Sequence, residues 1–182
     1  YTGTGSARSI NNGIDQSGKG SMTWLKSRSN SENWALYDTV RGATKSLLSS
    51  SSGAENTLTN GLTAFNTTGF THGSDSTGND NGSDILSWTF RKKTGFFDVI
   101  SWSADSGNNT KTLNHNLGSV PGLIVFKKYD ESWSWVAWHR DMDANTYMYL
   151  NSTAAAATNA DMAVSNVTST QFTVGGDHNG GS

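Results

Sequence analysis

The chain has 182 residues, a formal net charge of −2, a pI near 6.0 and no cysteine. This length holds one domain or two small ones with a sizeable core; disulfide-stapled scaffolds are excluded. The thirteen Lys and Arg are scattered without a basic run, which excludes the electrostatics of nucleic-acid binding, and only 15% of residues are charged, with Ser, Thr, Asn and Gly in their place.

Taken in chain order, residues 1–20 contain no apolar stretch of the signal-peptide kind. No segment reaches the roughly 20 apolar residues of a membrane span, so membrane insertion is not expected. Short aromatic and β-branched runs bounded by Gly, Asn, Asp and Ser then predict strands at 21–28, 34–38, 62–65, 69–72 and 85–92. Further strands are expected at 97–103, 111–113, 123–128, 135–139, 147–150, 163–167 and 171–174. In the first of these, Met22, Trp24 and Lys26 should face one way and Thr23, Leu25 and Ser27 the other. Segments 43–48 and 153–162 have helix-permissive composition, broken by Thr, Asn and Asp, and read as loop with at most one helical turn. The Ser- and Gly-rich stretches at 49–53 and 73–83 read as loops. The single Pro121 precedes a strand, where it costs no ladder hydrogen bond.

The chain also echoes itself. Thr23-Trp24-Leu25-Lys26 is matched by Ile124-Val125-Phe126-Lys127, and Trp34-Ala35-Leu36-Tyr37-Asp38 by Trp135-Val136-Ala137-Trp138-His139, both at an offset of 101 residues. Gly69-Phe70-Thr71-His72 is matched by Gln171-Phe172-Thr173-Val174 at an offset of 102. Ordered matches at near-constant spacing point to an internal duplication. The expected architecture is all-β, with tandem jelly-roll-like β-sandwich units: residues 1–95 as the first, and residues 96–182 as a second, degenerate one that is incomplete at its C-terminal end. In this alignment the second copy lacks a counterpart of residues 84–90 and the first a counterpart of 96–101. Either the chain is a piece of a longer repeat protein or neighbouring subunits complete its sheets by strand addition.

Three stretches carry a family resemblance: Trp34 to Leu48 leading into Ala54-Glu55, then Leu62 to Thr71, then Ile85-Leu-Ser-Trp-Thr-Phe-Arg91. Together with the opening Tyr1-Thr-Gly-Thr-Gly-Ser6, they resemble a domain of tail-fibre and other virion-associated proteins of phages, marine and cyanobacterial ones in particular. The second copy departs from the pattern, with His139-Arg-Asp-Met142 in place of Asp38-x-x-Arg41-Gly42. The resemblance implies a virion surface component built of β-sandwiches that self-associates, as a trimer, alongside other virion proteins. It brings no catalytic residues and no cofactor.

Several constellations are candidate sites. Asp38 and Arg41, three apart across a turn, most simply fix that turn, with Gly42 at positive φ; the alternative is that Arg41 holds a carboxylate-bearing sugar. Trp133 and Trp135 share a strand parity and Trp138 takes the opposite one, so Trp133 and Trp138 are candidate platforms for sugar rings while Trp34 and Trp135 are core anchors. Asp75, Asn79, Asp80 and Asp84 form an oxygen-rich loop in which Ca²⁺ is the only cofactor to consider; the spacing is not that of an EF-hand, and a solvated loop is the simpler account. The three glutamates, Glu32, Glu55 and Glu131, sit in polar stretches expected to be solvated faces. No nucleophile elbow or metal-spaced histidine pair occurs, and His139-Arg140-Asp141 stands without any other kinase motif. The expected function is therefore structural and adhesive: part of a phage tail fibre or surface projection that contacts host glycans at the virion surface, without catalysis. The other readings are a polysaccharide depolymerase on the same fold, a capsid decoration protein, and an extracellular filament subunit.

Overall fold

A computed structural model describes residues 1–105, 107 and 109–178. Among these the chain is nearly all β, and every strand pair is antiparallel. Among the described residues no helix is long and apolar enough to cross a membrane.

The first part comprises β1 (Arg8–Asn11), β2 (Ser21–Ser27), β3 (Ala35–Asp38), β4 (Lys45–Leu48), β5 (Asn56–Thr57), β6 (Leu62–Asn66), β7 (Gly69–His72), a one-turn helix α1 (Ser76–Asn79) and β8 (Ile85–Arg91). They form a five-stranded sheet β5-β4-β3-β2-β8 and a three-stranded sheet β1-β7-β6. The two sheets bury Leu25, Ala35 and Tyr37 of the one against Ile10, Leu62 and Phe70 of the other. Strand periodicity explains the arrangement: along β2, Ser21, Thr23, Leu25 and Ser27 are buried and Met22, Trp24 and Lys26 are half-buried, the alternation expected from sequence. The inward hydroxyls are tolerated because the buried Gln16 accepts from Thr23 Oγ1 at 2.7 Å and Ser21 Oγ at 3.2 Å, while its own amide donates to Gly69 O.

The second part comprises β9 (Lys111–Asn114), β10 (Leu123–Phe126), β11 (Val136–His139), β12 (Thr146–Tyr149), β13 (Ala157–Thr158), β14 (Val164–Ser165), β15 (Gln171–Val174) and a 3-10 turn Gly176–His178. Its sheets are β10-β11-β12-β13 and β14-β15-β9, closed around Leu113, Ile124, Phe126, Val136, Phe172 and Val174. Strand order therefore runs the same way in both parts, β1 to β7 matching β9 to β15. Registers match too: Leu25 lies opposite Ala35 as Phe126 lies opposite Val136, and Phe70 opposite Ile10 as Phe172 opposite Leu113. Gly73 and Gly175 sit at the same turn, where a Cβ would lie 2.3 Å from the carbonyl oxygens of Asn60 and Asp161 respectively. Thr44 and Asn145 both take a left-handed φ, of 68° and 60°, ahead of the equivalent strands β4 and β12.

Three expectations need correction. Residues 45–48, read as loop, form strand β4, because pairing of Leu47 with Leu36 and of Leu48 with Ala35 outweighs a weak local preference. Residues 97–103 form no strand. Apart from a bridge between Lys93 and Phe97 their backbone joins no sheet, and Ile100 and Trp102 are used instead as side-chain plugs against the second core. Strand β1 was not anticipated, since a single Ile10 among polar residues gives no periodic signal.

The two parts meet through the outer face of the five-stranded sheet. Trp135 is buried against Leu36 and Leu47, and its indole Nε1 donates to Leu48 O at 3.0 Å. Glu55 N donates to Tyr129 O at 2.7 Å and Trp133 N to Ser52 O at 2.8 Å, which ties the loop after β4 to the loop after β10.

Candidate functional site

Strand pairing and a turn assemble three tryptophans on the outer face of the first part. Trp24 on β2 lies directly across from Trp88 on β8, and Trp34 enters from the residue before β3. The Trp34 and Trp88 rings stack with centroids 5.7 Å apart and planes 7° from parallel. Trp24 tilts against both, at 5.7 and 5.8 Å. Polar groups surround the rings. Trp24 Nε1 donates to Ser49 Oγ at 2.9 Å, Lys26 Nζ lies 5.9 Å from the Trp34 ring centre, and Ser50 Oγ bonds Asn33 Oδ1. Trp88 is 37% exposed and Leu86 beside it 39%. Flat π faces held rigidly on a sheet, with hydroxyls, an amide and an ammonium at the rim, suit the apolar face of a sugar ring and its hydroxyls.

Sequence reasoning placed the platform elsewhere. Trp133 lies outside β11 and packs, with Trp138, against the second core, whereas Trp135 lies on the opposite side. The shared parity of Trp133 and Trp135 fails because residues 133–135 precede the ladder, where Trp133 N bonds across to Ser52 O. The Trp133 ring is capped by Lys128 Nζ at 4.3 Å and meets His178 edge-on. Nor is Trp34 a core anchor like its counterpart Trp135; it forms part of the surface cluster. The signal for this cluster was in the strand assignments: Trp24 and Trp88 come together only once β2 and β8 are paired.

The Asp38–Arg41 pair is built inward. Arg41 Nε donates to Asp38 Oδ2 at 2.6 Å, Nη1 to Glu55 Oε2 at 3.0 Å and Nη2 to Leu36 O at 3.2 Å. Asp38 Oδ1 accepts the backbone N–H groups of Val40 and Arg41, and Gly42 has φ 98°. The guanidinium's forks are thus directed at protein groups, and Glu55, read as a solvated residue, is the second carboxylate of a buried ion-pair network that also reaches Lys45 Nζ at 3.6 Å.

The oxygen-rich loop is likewise occupied by internal bonds. Asp75 caps α1 through Thr77 N; Asn79 donates to Ser6 O and Gly73 O at 2.7 Å and accepts from Thr4 N. Asp80 Oδ2 accepts from Ser83 Oγ and Asn30 Nδ2, and Asp84 Oδ1 from Thr2 Oγ1. These four side chains point to separate partners rather than to one centre, and among the described residues no group of three His, Cys, Asp or Glu could hold a metal ion.

A repeated lysine completes the geometry. Lys26 Nζ donates to the carbonyls of Glu32 and Asn30, and Lys127 Nζ to those of Trp133 and Glu131, the same offsets of six and four residues. Lys127 adds Lys128 O and Ser52 O, so it also clamps the two parts together. Burial lowers its pKa to about 8, against the opposing charges of Glu131 and Asp130. His72, the last residue of β7, and His178, in the 3-10 turn after β15, are both buried. Desolvation lowers both pKa values, that of His178 to about 4 with the Lys128 charge adding to the effect. Between the two parts lies an apolar cleft of about 990 Å³, walled by Met22, Trp24 and Leu36 on one side and Leu123, Val125 and Trp135 on the other.

A family model matches residues 1–182, the whole chain. The chain belongs to the family described as a domain of unknown function, DUF7483. No curated protein and no solved structure matches it. The Trp24–Trp34–Trp88 cluster and the cleft beside it are therefore assigned from geometry alone.

Proposed function

We propose that this DUF7483 chain is a structural and adhesive module of a virion surface projection, such as a phage tail fibre, that contacts host glycans through its outer aromatic face. The observation that carries the adhesive reading is the three-tryptophan cluster, with Trp88 exposed and Trp24 and Trp34 half-buried, and its polar rim. The virion setting rests on the resemblance of Trp34–Leu48, Leu62–Thr71 and Ile85–Arg91 to tail-fibre domains, and on a surface rich in uncharged hydroxyl and amide groups. The matching strand orders and registers support descent of the two parts from one duplicated unit. Self-association, as a trimer, would multiply weak sugar sites, since linked sites act at effective concentrations near the millimolar range.

The adhesive reading is tested by displaying the chain multivalently on a glycan array. Binding to a host-surface polysaccharide is expected, with quenching of tryptophan fluorescence by the same sugar. Trp88→Ala should abolish binding while the chain stays folded by circular dichroism, with some loss of thermal midpoint from the contacts to Trp24 and Trp34. Equal binding by Trp88→Ala, or no binding by the multivalent wild-type chain, overturns the reading. The virion setting is tested separately by antibody labelling of purified particles. Label on tail projections supports it; label over capsid seams favours a decoration protein.

A further inference from the structure

We infer that the second part carries a saccharide site of its own, a pocket for a neutral pyranose ring at one end of its sandwich. The inference rests on this pocket and not on the aromatic cluster of the first part. A depression of about 400 Å³ opens where the turn between β11 and β12 meets the turn between β14 and β15. Buried Val164 and half-buried Trp138 and Val167 supply apolar lining, and exposed Arg140, Asp143, Asn145, Ser165 and Asn166 supply polar lining. Trp138 thus serves twice, packing on the second core and lining the depression with the rest of its ring. The volume and the mixture of groups are those of a small-ligand site.

The polar groups here are unspent. Elsewhere loop amides are consumed locally: Asn11, Asn12, Asn30 and Asn159 each accept the N–H two residues on. Among the described residues the side chains of Asn145, Asn166, Asp143 and Ser165 make no hydrogen bond. Arg140 donates through Nη2 to Val120 O at 2.9 Å and forms no ion pair among the described residues, so its guanidinium is anchored and keeps further donors. Asn145 and Asn166 also hold left-handed φ angles of 60° and 47°, two of the three such non-glycine residues among those described. Backbone held in that region gathers at ligand sites.

The first part does not repeat this chemistry. At the offset of 101 residues, Thr39 and Gly42 stand in place of Arg140 and Asp143, and the wholly buried Tyr37 stands in place of Trp138. The shared scaffold therefore does not impose the pocket; the second part adds it.

The lining also selects the ligand. Arg140 and Asp143 bring one charge of each sign and do not pair with each other. Asp143 opposes an anionic sugar and Arg140 a cationic one. A neutral pyranose suits both. Its C–H face lies against Trp138, and its hydroxyls donate to the Asp143 carboxylate and accept from Arg140, while the two amides and Ser165 can do either.

The test follows the intact, isotope-labelled chain by NMR as the methyl glycosides of glucose, galactose and mannose are added, with glucuronate as the anionic control. Saturable shifts are expected for at least one neutral glycoside at residues 138–145 and 164–167, the Trp138 indole N–H among them. Glucuronate should bind about tenfold more weakly. The double variant Asn145→Gly with Asn166→Gly removes both amides where the left-handed backbone suits glycine, and should weaken binding about tenfold with the folded spectrum retained. Asp143→Asn, at an exposed site, should narrow the gap between neutral and anionic sugars. No saturable shift with any of the three glycosides, or undiminished binding by the double variant, overturns the proposal. Shifts confined to Trp24, Trp34 and Trp88 also overturn it, while supporting the adhesive face of the first part. Tighter binding of glucuronate than of the neutral glycosides overturns it in favour of an anion site.

Discussion

The two parts of the molecule share a scaffold and differ in what they place on it, and the difference separates structure from use. Positions that agree are those the backbone demands. Gly73 and Gly175 sit where a Cβ would strike a carbonyl, Thr44 and Asn145 take left-handed conformations, Lys26 and Lys127 bond the loop that follows them, and Phe70 and Phe172 fill the cores. Positions that disagree lie on the outer faces and edges. Trp34 joins a surface cluster, whereas Trp135 is buried between the parts. Asp38 and Arg41 form an ion-pair network where the second part has His139 and Met142. β2 has a strand on each side and β10 on one only.

The comparison is broken or sharpened by treating equivalent positions alike. The largest contrast should be at the turn after β3 and β11. Arg41→Met leaves the buried Asp38 without its cation and Glu55 with Lys45 alone, and should cost about 3 kcal/mol in urea unfolding. Met142→Ala, at the equivalent position, should cost less than about 1 kcal/mol. Similar losses at both sites would mean that the two turns carry the same load after all.

Acid should weaken both parts in the same direction. The folded pKa of His178 is lowered from 6.5 to about 4, so the folded state resists taking up the proton that the unfolded state accepts. Its contribution is complete above the unfolded pKa of 6.5 and is lost as pH falls toward 4, on the order of 3 kcal/mol. The downward shift at His72 acts with the same sign in the first part. Thermal midpoints should therefore drop between pH 6.5 and 4, and His178→Phe should flatten part of that slope. An unchanged slope would remove His178 from the account.

The smallest contrast concerns the lysines. Lys127→Met strands four carbonyls and should cost about 2 kcal/mol, whereas Lys26→Met strands two at a more exposed site and should cost about 1 kcal/mol. Equal penalties would show that Lys127 contributes nothing extra by reaching across to Ser52.

Much of the fold was legible in the chain. Alternation put Leu25 and Trp24 on opposite faces of β2, and Gly, Asn and Ser clusters marked most strand ends. The repeated Lys26 and Lys127 stood in the sequence echo, but their bonds to carbonyls four and six residues on emerge only when the loop closes. Strand β4 was missed because its apolar content, Leu47 and Leu48, is too short to reveal a period, and residues 97–103 were misread because plugging a core and lining a strand use the same side chains. The candidate binding face was the least legible. Trp133 looked exposed among Glu131, Ser132 and Ser134, yet it packs on a core, and the cluster that brings an exposed ring to the surface draws its members from residues 24, 34 and 88.

Sequence alone determined the class of structure, because a period of two between turn-forming residues is a local property that any strand must show. It also set the offset of about 101 at which equivalent residues recur. Tertiary structure alone decided which tryptophans meet solvent, which carboxylate answers Arg41 and which strand lacks a neighbour. Those outcomes depend on what lies across the sheet or in the adjoining part, and alternation along one strand carries no information about the partner on its far side.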